Sequence, residues 1–87
     1  MKVYTLVVGE LQENCYVVAN EKNEALVIDP GDEKEKILNF LKPYKVVGIF
    51  VTHFHPDHVG ALKELEEFYG LTANQKVEEF HYEIFAN

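Results

Sequence analysis

Apolar residues fall into short runs separated by polar turns, and the spacing inside each run predicts its element. Val3–Val8 and Cys15–Ala19 are β-branched and apolar enough for strands, and the polar stretch GELQEN between them predicts a hairpin-like connection. NEKNE reads as a surface turn. Ala25–Asp29, ALVID, is an apolar run cut off by Pro30 and Gly31, as a buried strand ends. Ile37, Leu38 and Leu41 recur at helical spacing until Pro43, and Asp32 with Glu35 resembles a capping box ahead of them. Val46–Thr52 predicts another buried strand, so residues 25–52 form a strand, helix, strand unit of the kind that is nearly always parallel and right-handed. Leu62, Leu65 and Tyr69 mark one face of a second helix, with Gly70 as its stop. VEEFHYEIF fits either periodicity, and its aromatic content favours a strand over 80–85. The pattern predicts an α/β domain with a mixed sheet: a β-hairpin followed by a βαβα unit.

At 87 residues the chain reads as a single domain, 1–87, with a thin core. Hydrophobic content of 47% against 26% charged residues is a globular balance. A formal charge of -7 without any run of basic residues argues against nucleic acid or an anionic membrane as partner. Cys15 stands alone, so no intrachain disulfide forms, and without a basic neighbour in sequence it reads as a small buried hydrophobe. The apolar run Val3–Val8 is too short for a signal-peptide core, and a cytoplasmic location is the expectation.

The chemistry concentrates in VTHFHPDHVG, residues 51–60. Side chains alternate along an extended segment, so His53 and His55 point to one side and Phe54 to the other. Pro56 ends the extended run, and Asp57 and His58 enter the first turn of the next helix, curling a carboxylate and a third imidazole back toward the same spot. Imidazole nitrogens with a carboxylate oxygen suit zinc, one ion or two, and also iron, manganese or cobalt. Gly60, costly inside a helix, suggests that a side chain there would crowd a neighbour. Asp29 and Thr52 end neighbouring parallel strands on one sheet edge, where sites in open α/β sheets form. Asp29 is therefore a supporting residue that accepts a hydrogen bond from a ligand imidazole or the loop backbone, or else a turn-initiating Asp before Pro-Gly.

With Thr52-His53-Phe54-His55-Pro56-Asp57-His58 the chain resembles the metallo-β-lactamase superfamily and its HxHxDH signature, most nearly the glyoxalase II-like hydrolases. Asn14–Val18, Ala25–Gly31 and Val59–Leu62 agree in order and spacing, so the likeness spans roughly residues 3–72. The resemblance implies half of an αββα sandwich, with His53 and His55 on one metal and Asp57, the candidate catalytic carboxylate, with His58 on the other. Asp29 would be the structural aspartate near the site. It further implies a metal-bound hydroxide attacking a thioester, ester, amide, lactone or phosphoester, with no protein nucleophile, in agreement with a chain that lacks serine.

The family's second half, with its further histidines and bridging aspartate, has no counterpart here. His81 follows the cluster too soon and lacks flanking glycines, so residues 73–87 read as a divergent tail or the start of a truncated continuation. Three readings follow: a metal-dependent hydrolase acting on a small-molecule substrate, a truncated non-catalytic metal-binding module, or a metal-free folding fragment. A lone half leaves one apolar sheet face bare, which a homodimer would bury.

Overall fold

A computed structural model describes residues 1–52 and 59–74, with no side-chain detail at 59 and 60. Within them the chain forms β1 (Lys2–Val8), β2 (Glu13–Ala19), β3 (Glu24–Ile28), α1 (Lys34–Leu41), β4 (Lys45–Phe50) and α2 (Val59–Tyr69). One sheet holds the strands in the order β1-β2-β3-β4. β1, β2 and β3 are antiparallel neighbours, and β3 and β4 are parallel, joined across α1. This is the predicted hairpin and βαβα unit. Expectations on the His cluster, His81 and the strand at 80–85 lie outside the described residues, as do the surroundings of Gly60, whose backbone belongs to α2.

Two ends differ from the sequence pattern for a local reason. β3 stops at Ile28 because Asp29 takes a left-handed φ of 56°, and β4 stops at Phe50, two residues before Thr52. The capping box does not form. Glu33, not Asp32, occupies the N-cap position of α1, with φ 54° and no side-chain cap, and the residue three positions later is Lys36. The Asp32 carboxylate instead accepts the Glu33 N–H at 2.7 Å. Glu33 turns its own carboxylate to the Gly9 N–H, also at 2.7 Å, and Lys36 reaches the Val7 carbonyl, so α1 is tied to the end of β1. Gly9 suits that approach. Its φ is +75°, and a Cβ there would stand 2.9 Å from Asp32 Oδ2.

Alternation sorts the strands into two faces. Val8, Cys15, Val17, Ala25, Val27 and Ile49 point toward α1 and α2, which contribute Ile37, Leu41, Leu62 and Leu65 to one buried cluster. Tyr4 meets Phe40 edge-on with ring centroids 5.2 Å apart, fastening the end of α1 to β1. Val18 and Leu26 form a second cluster on the opposite face with Ile28, Val47 and Phe50. On that face Val3 and Val7 of β1 remain 61% and 46% exposed. At the far end of α2, Gly70 adopts φ +67° and the Leu71 N–H returns to the Glu66 carbonyl at 3.0 Å, a Schellman closure.

These positions separate packing from conformation. Ile37→Ala is expected to cost about 3 kcal/mol, as a fully buried aliphatic side chain leaves a cavity. Gly70→Ala is expected to cost about 1 kcal/mol, from the left-handed backbone alone, since a Cβ there meets nothing within 4 Å. Urea unfolding of both variants measures the difference.

Candidate metal centre

β1, β3 and β4 run in the same direction, so their carboxyl ends share one edge of the sheet. Onto that edge fall the turn after β1, Asp29 after β3, and Thr52 after β4. Asp29 is the junction. Its N–H donates to the Phe50 carbonyl at 2.8 Å, continuing the parallel ladder by one rung. Its carboxylate then takes over where the ladder stops. Oδ1 accepts the Thr52 N–H at 2.7 Å, and Oδ2 accepts the Thr52 hydroxyl at 2.6 Å. Both carboxylate oxygens are thus engaged by the residue immediately before His53. Of the partners weighed for Asp29 from the sequence, the loop backbone is the one present among the described residues.

A second residue, unforeseen from the sequence, grips the other side of the same strand. Asn74 donates its N–H to the Ile49 carbonyl at 2.8 Å, and its Oδ1 accepts the Val51 N–H at 2.8 Å. It follows α2 and lies 23 positions from Val51, and nothing in LTAN marks it as a partner of β4.

Cys15 lies beneath this edge. Tyr16 pairs with Ile28, which puts Cys15 beside Asp29 at the end of the ladder. Burial and, secondarily, the Asp29 charge push its thiol up to about 12 from 9.0. A thiol held neutral in this way is no nucleophile at physiological pH, so Cys15 packs as the small hydrophobe its isolation suggested.

His53, His55, Asp57 and His58 lie outside the described residues, as does His81. Among the described residues, no three His, Cys, Asp or Glu side chains converge on one point. The donor set that follows Thr52 nevertheless fits a borderline divalent cation, with three imidazoles and one carboxylate in six positions. A cleft of about 590 Å³ between the C-terminal ends of α1 and α2, lined by Leu38, Leu41, Phe68 and Tyr69, belongs to the opposite end of the sheet. No described helix is long and apolar enough to cross a membrane.

Two outcomes test this edge. Asp29→Ala is expected to lower stability by about 2 kcal/mol, because two hydrogen bonds to a charged group are lost. Asp29→Asn should lose less than half of that, as an amide can still accept the Thr52 N–H and donate to its hydroxyl; thermal or urea unfolding compares the two. Cys15 is expected to resist alkylation at pH 8 until the chain unfolds. Between roughly pH 9, the unfolded value, and about 12, the folded chain keeps a thiol proton that the unfolded chain loses, so stability should fall as pH rises through that window.

Comparison with known proteins agrees with this architecture. The profile of the family described as the metallo-beta-lactamase superfamily matches residues 8–73. An uncharacterized protein of Aquifex aeolicus is 51% identical over 70 residues, 79% of this chain and 33% of that protein. The hydroxyacylglutathione hydrolase GloC of Haemophilus influenzae is 30% identical over 73 residues, 82% of this chain and 34% of that enzyme. The chain therefore spans about a third of the length of these curated relatives. Among solved structures, the B3 metallo-beta-lactamase BLEG-1 superposes with a TM-score of 0.78 at 30% identity, covering 83% of this chain and 35% of that one. TTHA1623, solved in a di-iron-bound form, superposes with a TM-score of 0.70 at 39% identity, covering 80% and 36%. With its strand order, its parallel β3–β4 pair and the HxHxDH stretch after Thr52, this chain belongs to the metallo-beta-lactamase superfamily.

Proposed function

We propose that this chain carries the first metal-binding half of a hydrolase site, with thioesters as the preferred substrate class and esters, amides or phosphoesters as alternatives. One observation carries the reading: the His-His-Asp-His donors begin directly after Thr52, whose N–H and hydroxyl are both held by Asp29 at the carboxyl edge of the sheet. In this reading His53 and His55 hold one ion, and Asp57 with His58 hold a second. The likeness to GloC favours a thioester, and the di-iron form of TTHA1623 makes iron as reasonable an occupant as zinc. When bound, such an ion supplies Lewis acidity and lowers the pKa of a coordinated water toward ~7.

The chain's own residues orient and exclude. Asp29 holds the strand end in place and is itself committed to Thr52, so it supports the donors from behind instead of adding to them. Cys15, Val17 and Val27 form buried apolar ground beneath the sheet on the helix side of that edge. The exposed Val3 and Val7 on the second sheet face are the surface we assign to a second copy of the chain, and analytical ultracentrifugation tests it.

Native mass spectrometry together with hydrolysis of a simple thioester tests the reading. One or two tightly bound ions and turnover abolished by a chelator are the expected result. An ion without turnover supports a metal-binding module, and no ion at micromolar zinc or iron overturns the reading. His55→Ala is expected to lose metal binding while retaining its circular dichroism. Binding equal to that of the parent would remove His55 from the ligand set.

A further inference from the structure

The two edges of β4 end in the same device. On the β3 side, Asp29 donates its N–H to the carbonyl of residue 50 and accepts the N–H of residue 52 on its side chain. On the outer side, Asn74 donates its N–H to the carbonyl of residue 49 and accepts the N–H of residue 51 on its side chain. Both residues sit in the left-handed region, Asp29 at φ 56° and Asn74 at φ 65°, a conformation that Asp and Asn tolerate better than other non-glycine residues. In a strand, successive N–H groups point to opposite edges, so a strand held through residues 51 and 52 has to be held from both sides. Each ring replaces a ladder hydrogen bond with one to a side chain, and that lets the strand end without leaving those two N–H groups to water.

We infer that Asn74 is a positioning residue for the metal site: it works opposite Asp29 as the second jaw of a clamp on Val51–Thr52 that sets the direction in which the chain leaves β4 toward His53. The inference rests on the metal-binding reading above and adds a residue to it from a part of the chain remote from the HxHxDH stretch. The physical basis is directional. Asp29 restrains Thr52 from the β3 edge. Asn74 fixes the neighbouring peptide from the opposite edge, so the strand end is held from both sides. Asn74 also lies just beyond the Schellman turn that ends α2, so α2, which begins one residue after His58, is fastened at its far end to the strand that precedes His53. The HxHxDH stretch is thus bounded on both sides by elements that Asn74 holds together.

Asn74→Gly removes the amide while keeping the left-handed backbone accessible, and Asn74→Asp keeps the acceptor. In the 87-residue chain titrated with Co2+ alone, Asn74→Gly is expected to bind about tenfold more weakly than the parent, with an altered visible ligand-field spectrum, and Asn74→Asp to bind within about twofold of the parent. The Val51 amide is expected to exchange with solvent faster in the glycine variant only, while far-ultraviolet circular dichroism stays the same. If the parent binds Co2+ and Asn74→Gly binds it equally well with the parent's spectrum, Asn74 has no positioning role and the metal reading stands. Equal weakening in the aspartate and glycine variants, or an unchanged Val51 exchange rate in Asn74→Gly, also overturns the inference. A parent that takes up no Co2+ overturns the metal reading itself.

Discussion

The hydrogen bonds between the Asp29 carboxylate and Thr52 join β3 and β4 at the carboxyl edge of the sheet. Parallel pairing of β3 with β4 brings two chain segments to one edge, but a parallel ladder has no turn to close it, and its last peptide groups face solvent. A carboxylate with two acceptor oxygens, on a residue whose left-handed backbone ends β3, closes it at 2.6 and 2.7 Å. Everything that follows Thr52 in the chain leaves from that point.

The thin core shapes how the edge is supported. A domain of this size buries a smaller share of its unfolded-chain surface than a large domain does, and its main apolar cluster lies between one sheet face and two short helices. Polar ties therefore carry much of the local order at the rim. Glu33 holds Gly9, Lys36 holds Val7, and Asp29 and Asn74 hold β4 from its two sides. Beneath them Cys15 stays neutral because it is buried and because the Asp29 charge is near, so the rim is polar above and apolar below.

The chain belongs to the metallo-beta-lactamase superfamily and spans about a third of the length of the relatives it matches. The edge described here ends at Thr52, the residue directly before the HxHxDH stretch in sequence. On the second sheet face Val18 and Leu26 are buried, while Val3 and Val7 of β1 are exposed.

Most of the fold was legible in the chain, because the apolar spacing of β1 to β4, α1 and α2 repeats with the period of its own element and each run ends at a Gly, Pro or polar cluster. The cluster of His53, His55, Asp57 and His58 is visible in the chain itself because these residues are sequence neighbours, and their placement lies outside the described residues. Misreadings arose where a residue had two local options. Asp32 and Glu35 have the spacing of a capping box, but Glu33 occupies the N-cap place and its carboxylate accepts the N–H of Gly9, 24 positions away. Asp29 was foreseeable as a neighbour of Thr52, because parallel strands must end on a shared edge. Asn74 was not. A side-chain amide 23 residues from its partner leaves no periodic trace, and only the return of the chain after α2 decided that it would meet Val51. Local pattern determines the elements and places the His and Asp donors side by side in the chain, whereas the hydrogen bonds at the strand end depend on which distant segments the packed sheet and helices bring within reach.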